Sequence, residues 1–498
     1  MQRRMGFRTL AVAAAFASAA ALTAVAVQPA AAATGPAAHF VVLGPQNGNL
    51  SRTVASIEAA GGTVVQAWPQ IGVVVATSPS LNFAQALRRA PGVQGVGATR
   101  ALVEFVPPTP AIAAVTARDQ IEQLDAVKDN GKAVTPTAFE PLAPNQWDMR
   151  LIRADAANAV SGGSRDTLIG VVDSGIEATH PDLAPNIDPA NSVGCTNEGR
   201  PDTSPAAWAP TTSTHGTHVA GTIAAARNGV GIAGVAPNVR IASVKVVDDG
   251  GFIYPEYAIC GMIWVAEHNM KATNNSYFID PWFKNCLDDP DQKAIVQSVT
   301  RAIEFASRHD VVNVAATGNS NWDLAHAVTD TGSPDNQTPI TRVVGNDCPQ
   351  LPQEVDGIVG VSAVGPTARK SFYSNYGIGS DTEVTAPGGD SRVVPETPDG
   401  NGRVLSTIVG GRWGYAQGTS MASPHATGVV ALIRSTHPNW NAARVVRELQ
   451  NQADRLACPP NPYDPTGDGS FLATCQGGQT GRGFYGAGLV DALDAVIR

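Results

Sequence analysis

Residues 418–428 read Gly-Thr-Ser-Met-Ala-Ser-Pro-His-Ala-Thr-Gly, and an apolar run follows at 429–432. The small residues before Ser420 allow a tight turn, and the residues after it can form a buried helix. Ser420 is therefore expected at a helix N-terminus, where exposed N–H groups and the helix dipole favour negative charge. Because a serine hydroxyl is a weak nucleophile near neutral pH, a reactive Ser420 also needs a general base and a group that orients this base.

Both groups have candidates upstream of Ser420. An apolar run over 168–172 ends in Asp173, which predicts a buried strand with a carboxylate at its carboxyl end. A second small-residue segment begins at His215 and predicts a helix with an imidazole at its start. Ligands of open α/β sheets bind at the carboxyl ends of the strands, so Asp173, His215 and Ser420 are candidate catalytic residues.

Each of these residues also has a simpler interpretation. Asp173 could cap the turn after its strand, and Ser420 could be an ordinary N-cap residue. His215 and His218 could be metal ligands on one helix face, although the glutamate of His-Glu-x-x-His is missing. The presence of all three segments in one chain favours the catalytic interpretation.

Three segments of the chain resemble those of subtilisin-like serine proteases. They are Asp173-Ser174-Gly175-Ile176 with His180-Pro181-Asp182-Leu183 behind it, His215-Gly216-Thr217-His218-Val219-Ala220-Gly221, and Gly418-Thr419-Ser420-Met421-Ala422-Ser423-Pro424-His425. The chain order Asp, His, Ser is that of subtilisin and differs from the orders in chymotrypsin and the α/β-hydrolases. The resemblance implies an endopeptidase in which His215 is the base for Ser420 and Asp173 orients the imidazole.

The resemblance also implies an oxyanion-stabilising group. The apolar run 311–316 predicts a strand that leads into Asn319. In this family an asparagine side-chain amide at that place, together with the backbone N–H of the nucleophilic serine, binds the oxyanion. Asn319 is therefore a candidate catalytic residue, with a plain turn residue as the alternative.

Substrate binding in the family involves two backbone segments that flank an extended peptide. The resemblance places these segments at Asp249–Phe252 and Asn275–Phe278. The candidate substrate-binding residues are Gly250, Gly251, Ser276, Tyr277 and Thr419. The second segment departs from the family's Ser-Leu-Gly-Gly pattern, because Tyr277 and Phe278 are bulky. The pocket wall is therefore expected to be larger and differently shaped than in the family.

Strand and helix patterns alternate from Gln146 to the end of the chain. Buried strands are predicted at 168–172, 239–247, 272–276, 311–316 and 358–364. An inward helix face is predicted from the spacing of Ile259, Met262, Ile263 and Ala266. These patterns predict an α/β fold with a doubly wound, mostly parallel sheet in a catalytic domain over 146–498.

Residues 38–105 show their own pattern, with the order β-α-β-β-α-β of a ferredoxin-like α+β unit. Such a unit alone could be a binding module of many kinds. Ahead of a subtilisin-like domain it resembles the inhibitory propeptide, which assists folding and blocks the cleft as an intramolecular inhibitor. Residues 106–145 are proline-rich and are interpreted as a linker, with the activating cut between Phe105 and Gln146.

Residues 1–34 are interpreted as an export signal. Arg3, Arg4 and Arg8 precede an Ala-rich apolar run over 9–27, and the small residues at 30–33 are typical of a cleavage site. A membrane anchor is the alternative. Export predicts a secreted, extracellular protein, in which an even number of cysteines favours disulfides.

The chain has six cysteines. Cys458 and Cys475 flank a polar loop and are expected to pair with each other. The other four, Cys195, Cys260, Cys286 and Cys348, leave three possible pairings open.

The composition is that of a large acidic protein. The chain has 498 residues, 43% of them hydrophobic and 15% charged, with a formal net charge of −9. The negative charge argues against nucleic acids and membrane surfaces as partners, whereas the family resemblance implies protein or peptide substrates. No cofactor is expected to be required. Residues 464–469 offer oxygens for Ca²⁺, but the segment is short for a calcium loop and a surface turn is favoured.

Three functions fit these patterns. The first is a secreted serine endopeptidase that is matured by removal of its propeptide. The second is a catalytically silent relative that binds proteins, against which the complete set of catalytic residues argues. The third is an exopeptidase-like or highly selective processing protease, which would share every catalytic residue with the first.

Overall fold

The computed structural model describes residues 34–46, 48–100, 140–378 and 382–498. The export signal predicted at 1–34 falls, apart from its last residue, outside these ranges, and so does the part of the predicted linker up to residue 139. The described residues form two units, an N-terminal domain over 34–100 and a main domain over 140–498. Among the described helices, none is long and apolar enough to cross a membrane.

The N-terminal domain is a four-stranded antiparallel sheet with two helices. Its elements are β1 (Thr34–Leu43), α1 (Ser51–Ala59), β2 (Thr63–Trp68), β3 (Val73–Ser80), α2 (Phe83–Leu87) and β4 (Gly95–Ala98). The strand order β2-β3-β1-β4 is the ferredoxin-like arrangement that the sequence predicts, so this prediction is confirmed.

Alternation along β1 explains why both faces of this sheet are covered. Phe40 and Val42 pack in a core with the domain's own helices, whereas Val41 and Leu43 join an apolar cluster of the main domain. Successive side chains of a strand point to opposite faces, so a continuous apolar run can bury both. The N-terminal domain is therefore attached through an apolar sheet face.

The main domain contains twelve strands and ten α-helices among its described residues. The strands are β5 (Leu168–Asp173), β6 (Val193–Asn197), β7 (Arg200–Asp202), β8 (Arg240–Lys245), β9 (Ala272–Asn275), β10 (Val312–Ala316), β11 (Val328–Asp330), β12 (Arg342–Val344), β13 (Ile358–Val364), β14 (Val384–Pro387), β15 (Val404–Ile408) and β16 (Arg412–Ala416). The helices are α3 (Trp147–Leu151), α4 (Ala154–Val160), α5 (Pro205–Trp208), α6 (His215–Ala224), α7 (Pro255–Glu267), α8 (Pro290–Arg308), α9 (Thr419–Thr436), α10 (Ala442–Asn451), α11 (Arg482–Tyr485) and α12 (Asp494–Ile497).

The central sheet has eight strands in the order β14-β13-β10-β9-β5-β8-β6-β7, and all neighbours are parallel except β6 and β7. Helices α6 and α9 pack on one face, and α7 and α8 pack on the other. Residues of β5 contribute to both cores, because Ile169 and Val171 face one side and Leu168 and Val172 the other. The predicted doubly wound, mostly parallel sheet is confirmed.

Three disulfides cross-link the main domain. Cys458 pairs with Cys475, as predicted, and the pairings that the sequence leaves open are Cys195–Cys260 and Cys286–Cys348. The second of these joins the segment before α8 to the segment before β13.

The described chain of the main domain begins at Glu140, within the segment interpreted as a linker. The Glu140 side chain is buried, and burial raises the pKa of its carboxyl group while the nearby backbone of residues 228–230 opposes the rise. The backbone N–H of Leu142 donates to Gly231 O at 2.7 Å. Residues 140–145 are thus packed on the main domain.

Candidate active site

Asp173 and His215 form a hydrogen-bonded pair at the edge of the central sheet. Asp173 ends β5 and is buried, while His215 begins α6 and is partly exposed. His215 Nδ1 lies 2.8 Å from Asp173 Oδ1 and 3.0 Å from Oδ2. Burial lowers the pKa of the His215 imidazole, but the charge and hydrogen bond of Asp173 outweigh it and hold this pKa above its usual value. The pair leaves Nε2 as the nitrogen available to accept a proton.

The approach of α6 to β5 depends on a glycine. The Gly216 backbone N–H donates to Ser174 Oγ at 2.9 Å. A Cβ at position 216 would lie 2.5 Å from Gly175 O and 3.1 Å from Asp173 Oδ1. Because real Cβ atoms do not come so close to backbone oxygens, a larger residue would push His215 away from Asp173.

Ser420 lies in the first turn of α9, as the sequence predicts. Its hydroxyl donates to Ser276 O at 3.4 Å, and the Ser276 hydroxyl donates to Ser420 O at 2.9 Å. Helices α6 and α9 share one apolar core, which brings His215 and Ser420 to the same edge of the sheet. In the described structure no hydrogen bond joins these two side chains, so the Ser420 hydroxyl must turn from Ser276 O towards His215 before proton transfer.

Asn319 is oriented by the residue that precedes Ser420. Asn319 Oδ1 accepts hydrogen bonds from Thr419 N at 2.8 Å and from Thr419 Oγ1 at 2.9 Å. Because this oxygen faces two donors, the Nδ2 amide must point the other way. A Cβ built on Gly418 would lie 3.4 Å from Asn319 Nδ2 and 3.6 Å from Ser420 N. The Asn319 amide and the Ser420 backbone N–H thus lie near each other at Gly418, and two such donors can serve an oxyanion.

The candidate substrate-binding residues lie in three different settings. Gly250 is exposed and Gly251 half-buried in a turn in which Asp248 Oδ1 accepts the Gly250 N–H at 2.9 Å. Thr419 and Ser276 are buried next to Ser420. Tyr277 turns inward, where its hydroxyl donates to Asn275 Oδ1 at 3.0 Å. Burial raises the pKa of Tyr277, and the Asp173 carboxylate adds to the shift.

A cleft of about 190 Å³ opens beside Asn319. Its aromatic wall consists of Phe278, Phe283 and Trp322, whose rings meet edge to face. Residues that carry no charge complete the lining: Gly318, Ser320, Thr329, Thr331, Gly332, Gln350 and Asn375. A cleft of this composition accepts an uncharged side chain more readily than a charged one. The sequence departs from the family's Ser-Leu-Gly-Gly pattern at Tyr277 and Phe278, from which a bulky pocket wall is expected. Of these two residues, Phe278 lines the cleft.

Sequence reasoning missed the other walls of the cleft. Phe283, Trp322 and Gln350 come from loops without a periodic pattern, and β11 and β12 bring Thr329 into the lining. The departure from the family pattern at Phe278 signals an altered wall, but no local signal identifies the residues that pack against it.

His218, the second histidine of α6, does not face the cleft. Its Nε2 lies 3.2 Å from Gly414 O, and burial, assisted by the charge of His215, lowers its pKa to about 3. It is therefore a neutral core residue. Among the described residues, no group of three or more His, Cys, Asp or Glu side chains is placed to hold a metal ion.

Comparisons with known proteins give consistent matches. A family model described as the subtilase family matches residues 164–487. Fervidolysin of Fervidobacterium pennivorans is 27% identical over 416 residues, and the match covers 80% of this chain and 52% of fervidolysin. Subtilisin NAT of Bacillus subtilis subsp. natto is 32% identical over 305 residues, with 61% of this chain and 65% of that protein covered. The chain thus spans less than two thirds of the length of these two relatives.

A solved structure matches over most of its length. The epidermin leader peptide processing serine protease of Staphylococcus aureus superposes with a TM-score of 0.65, covering 92% of this chain and 98% of that chain at 18% identity. At this identity the match concerns the fold.

Proposed function

Because the chain belongs to the subtilase family, we propose that it is a secreted serine endopeptidase that hydrolyses peptide bonds through Asp173, His215 and Ser420. The observation that carries the proposal is the short contact between Asp173 and His215, at the edge of the sheet where Ser420 lies in the first turn of a helix. This combination provides an oriented base next to a serine, which the simpler interpretations of the three residues do not require.

The geometry supports the following mechanism. His215 Nε2 takes the Ser420 proton, and Ser420 Oγ attacks the carbonyl carbon of the substrate. Asn319 Nδ2 and the Ser420 N–H bind the oxyanion. Asp173 stabilises the imidazolium without taking the proton, and His215 then protonates the leaving amine. Water hydrolyses the acyl-enzyme and regenerates Ser420.

We further propose that residues 38–105 are an inhibitory propeptide and that residues 146–498 form the catalytic domain. An apolar sheet face of the N-terminal domain packs on the main domain, which supports the interpretation of this domain as a tightly bound partner within the same chain. The signal pattern at 1–34 and three disulfides support secretion, because disulfides persist in oxidising surroundings. The packing of residues 140–145 supports an activating cut before Glu140.

A processing protease that makes few contacts upstream of the cut is a second candidate. Ile253 and Asp280 join the two segments that are proposed to flank the substrate: Asp280 N donates to Ile253 O at 2.9 Å, and the Asp280 carboxylate accepts the Ile253 N–H. Asp280 follows Ser276 by four residues, which limits the distance between the two residues to about 13 Å. A peptide strand between the segments therefore has room for about four residues before they meet.

Intact mass of the secreted protein tests the proposal. Wild type and Ser420→Ala are expressed in parallel with the signal present, and both are mixed with unfolded casein. We expect a wild type shortened by about the length of the N-terminal domain and linker, a variant that retains them, and many internal cuts in casein by wild type alone. If wild type releases short N-terminal fragments from casein and makes no internal cuts, the second candidate is favoured. Equal masses and intact casein would contradict the proposed function.

A further inference from the structure

Arg100, the last described residue of the N-terminal domain, enters a small cage on the main domain. Its Nη2 donates to Glu256 Oε1 at 3.1 Å and to the Tyr257 hydroxyl at 2.7 Å. The guanidinium carbon lies 4.3 Å from the centre of the Tyr254 ring and 5.6 Å from that of Tyr257. The cage thus combines a carboxylate with two aromatic rings, which together suit a planar cation.

The carboxylate of the cage is incompletely paired. The Glu256 side chain is fully buried, and its Oε2 has no hydrogen-bond partner among the described residues. Within the same residues, Arg100 is the only cation that pairs with Glu256. A buried carboxylate without a counter-ion is costly, so this position favours a cation whenever it is shielded from water.

The cage also lies close to the proposed substrate groove. Tyr254 directly follows Ile253, which bonds to Asp280 at the upstream end of that groove. If the cut lies beyond Phe105, Arg100 is an upstream residue of the first substrate that this protein cleaves, its own chain. Removal of the N-terminal domain then leaves the cage empty beside the groove.

We propose that Glu256, Tyr254 and Tyr257 form a binding site for an arginine side chain of substrates, several residues upstream of the cut. This inference rests on the proposed function and adds a substrate class to it, namely proteins with an upstream arginine. Arg100 occupies the site before maturation. Arginine is preferred over lysine, because a planar guanidinium can stack on Tyr254 while it donates to Glu256.

Peptides with a movable arginine test the inference on the matured protein. Otherwise neutral peptides of equal length carry one arginine at each successive position from the second to the tenth upstream of the cut. Matched peptides carry citrulline, which has the same shape without the charge. We compare kcat/KM for wild type, Glu256→Gln and the control Glu267→Gln. Glu267 is an exposed residue of the same helix, and the one hydrogen bond that its side chain makes among the described residues is with Gln70 of the N-terminal domain.

We expect one position at which arginine raises kcat/KM about tenfold over citrulline, as for a charge-assisted hydrogen bond. Wild type and Glu267→Gln should show this preference and Glu256→Gln should lose it, while the citrulline peptides report on folding. A flat series with intact casein cleavage would overturn the inference alone, and so would a preference that survives in Glu256→Gln. Loss of casein cleavage in wild type would overturn the proposed function and the inference with it.

Discussion

His215 experiences two opposed influences on its protonation. Burial disfavours the imidazolium and the Asp173 carboxylate favours it, with a net rise in pKa. Since proton acceptance from Ser420 needs the neutral imidazole, activity is expected to be lost as the pH falls through this raised pKa. The inflection of kcat/KM against pH should therefore lie above about 6.5, the ordinary histidine value.

Replacement of the carboxylate gives the matching test. Asp173→Asn removes the carboxylate that raises the pKa of His215, so the acid limb of the pH profile should move to lower pH. In addition, kcat should fall by about 10⁴, because the imidazole is no longer held in the tautomer that can accept the Ser420 proton. An unchanged inflection in the pH profile would show that Asp173 does not act on His215. Ser174→Ala, which removes a neighbouring hydroxyl from the Gly216 N–H, is the control and should leave the inflection in place.

The Asn319 side chain gives a second residue-scale prediction. Asn319→Leu keeps the size but removes the amide donor, so kcat should fall with little change in KM. In subtilisin itself, loss of the corresponding donor costs about 10²–10³ in kcat, and we expect the same order here. Thr419→Ser keeps the hydroxyl that orients Asn319 and should stay near wild type, whereas Thr419→Val should lose part of the activity. Steady-state kinetics separate these cases, and a raised KM with normal kcat in Asn319→Leu would argue against the role.

The positions of Asp173, His215, Asn319 and Ser420 could be predicted because each follows or begins an element with a clear apolar pattern. Trp322 and Gln350 could not be predicted, because they reach the cleft from irregular loops whose course depends on tertiary packing.

At the scale of elements, the junction of β5 and α6 depends on Gly216. Gly216→Ala should lower activity at least about tenfold and unfolding free energy by about 1–3 kcal/mol, because the new Cβ meets backbone rather than a movable side chain. Gly261→Ala in α7 is the control, since its Cβ would meet only valine side chains at 3.0 Å and beyond. Kinetics and thermal unfolding of both variants check this. Normal activity in Gly216→Ala would show that α6 tolerates the displacement.

The disulfides allow a comparison between two loops. Cys286–Cys348 joins segments that carry Phe283 and Gln350 of the cleft, whereas Cys458–Cys475 closes a short loop near the C-terminus. The double serine variant of either pair should lose about 2–4 kcal/mol of stability. Only the first should also raise KM. Guanidinium unfolding and peptide kinetics distinguish stability from substrate binding, and a KM equal to that of wild type would argue against binding of substrate in the cleft.

Strands β5, β8, β10 and β13 could be predicted from apolar runs, and the strand predicted at 272–276 corresponds to β9. Strands β6, β7 and β14 could not be predicted, because polar residues and glycine interrupt β6, β7 carries two charges around a proline, and β14 ends in Pro387. The hairpin of β15 and β16 was also missed, since its residues show no strict alternation.

At the scale of the whole molecule, Arg301 of α8 holds the N-terminal domain. Its Nη1 donates to Gly44 O at 2.9 Å and to Gly72 O at 3.1 Å, and its Nη2 donates to Gln94 at 2.8 Å. In the Ser420→Ala background, added trypsin should digest the N-terminal domain about tenfold faster in the Arg301→Ala variant. The reason is that this variant loses hydrogen bonds from a charged group to the N-terminal domain.

A neighbouring arginine provides the control for this prediction. Arg308→Ala, on the same helix, breaks only the exposed pair with Glu304 at 3.4 Å and should not change the rate. The time course of digestion, followed by mass spectrometry, measures the difference. Equal rates for both variants would show that the apolar face of β1 alone holds the two domains together.

The fold class and the presence of two units could be predicted from the order of elements. The contact of the N-terminal domain with α7 and α8 could not be predicted. It depends on side chains such as Arg100 and Arg301, which look like ordinary surface residues in the sequence. Charge patterns alone do not tell which arginines lie at a contact.

The parts of the active site are far apart in the sequence. Asp173 and His215 are 42 residues apart, and Ser276 and Ser420 are separated by 144. Strand β5 lies inside the sheet between β9 and β8, which the ribosome makes later. A growing chain therefore has no working site until nearly the whole domain has been synthesised and has folded. Under the proposed function, protein synthesis itself would thus delay the onset of proteolysis, independently of any inhibitor.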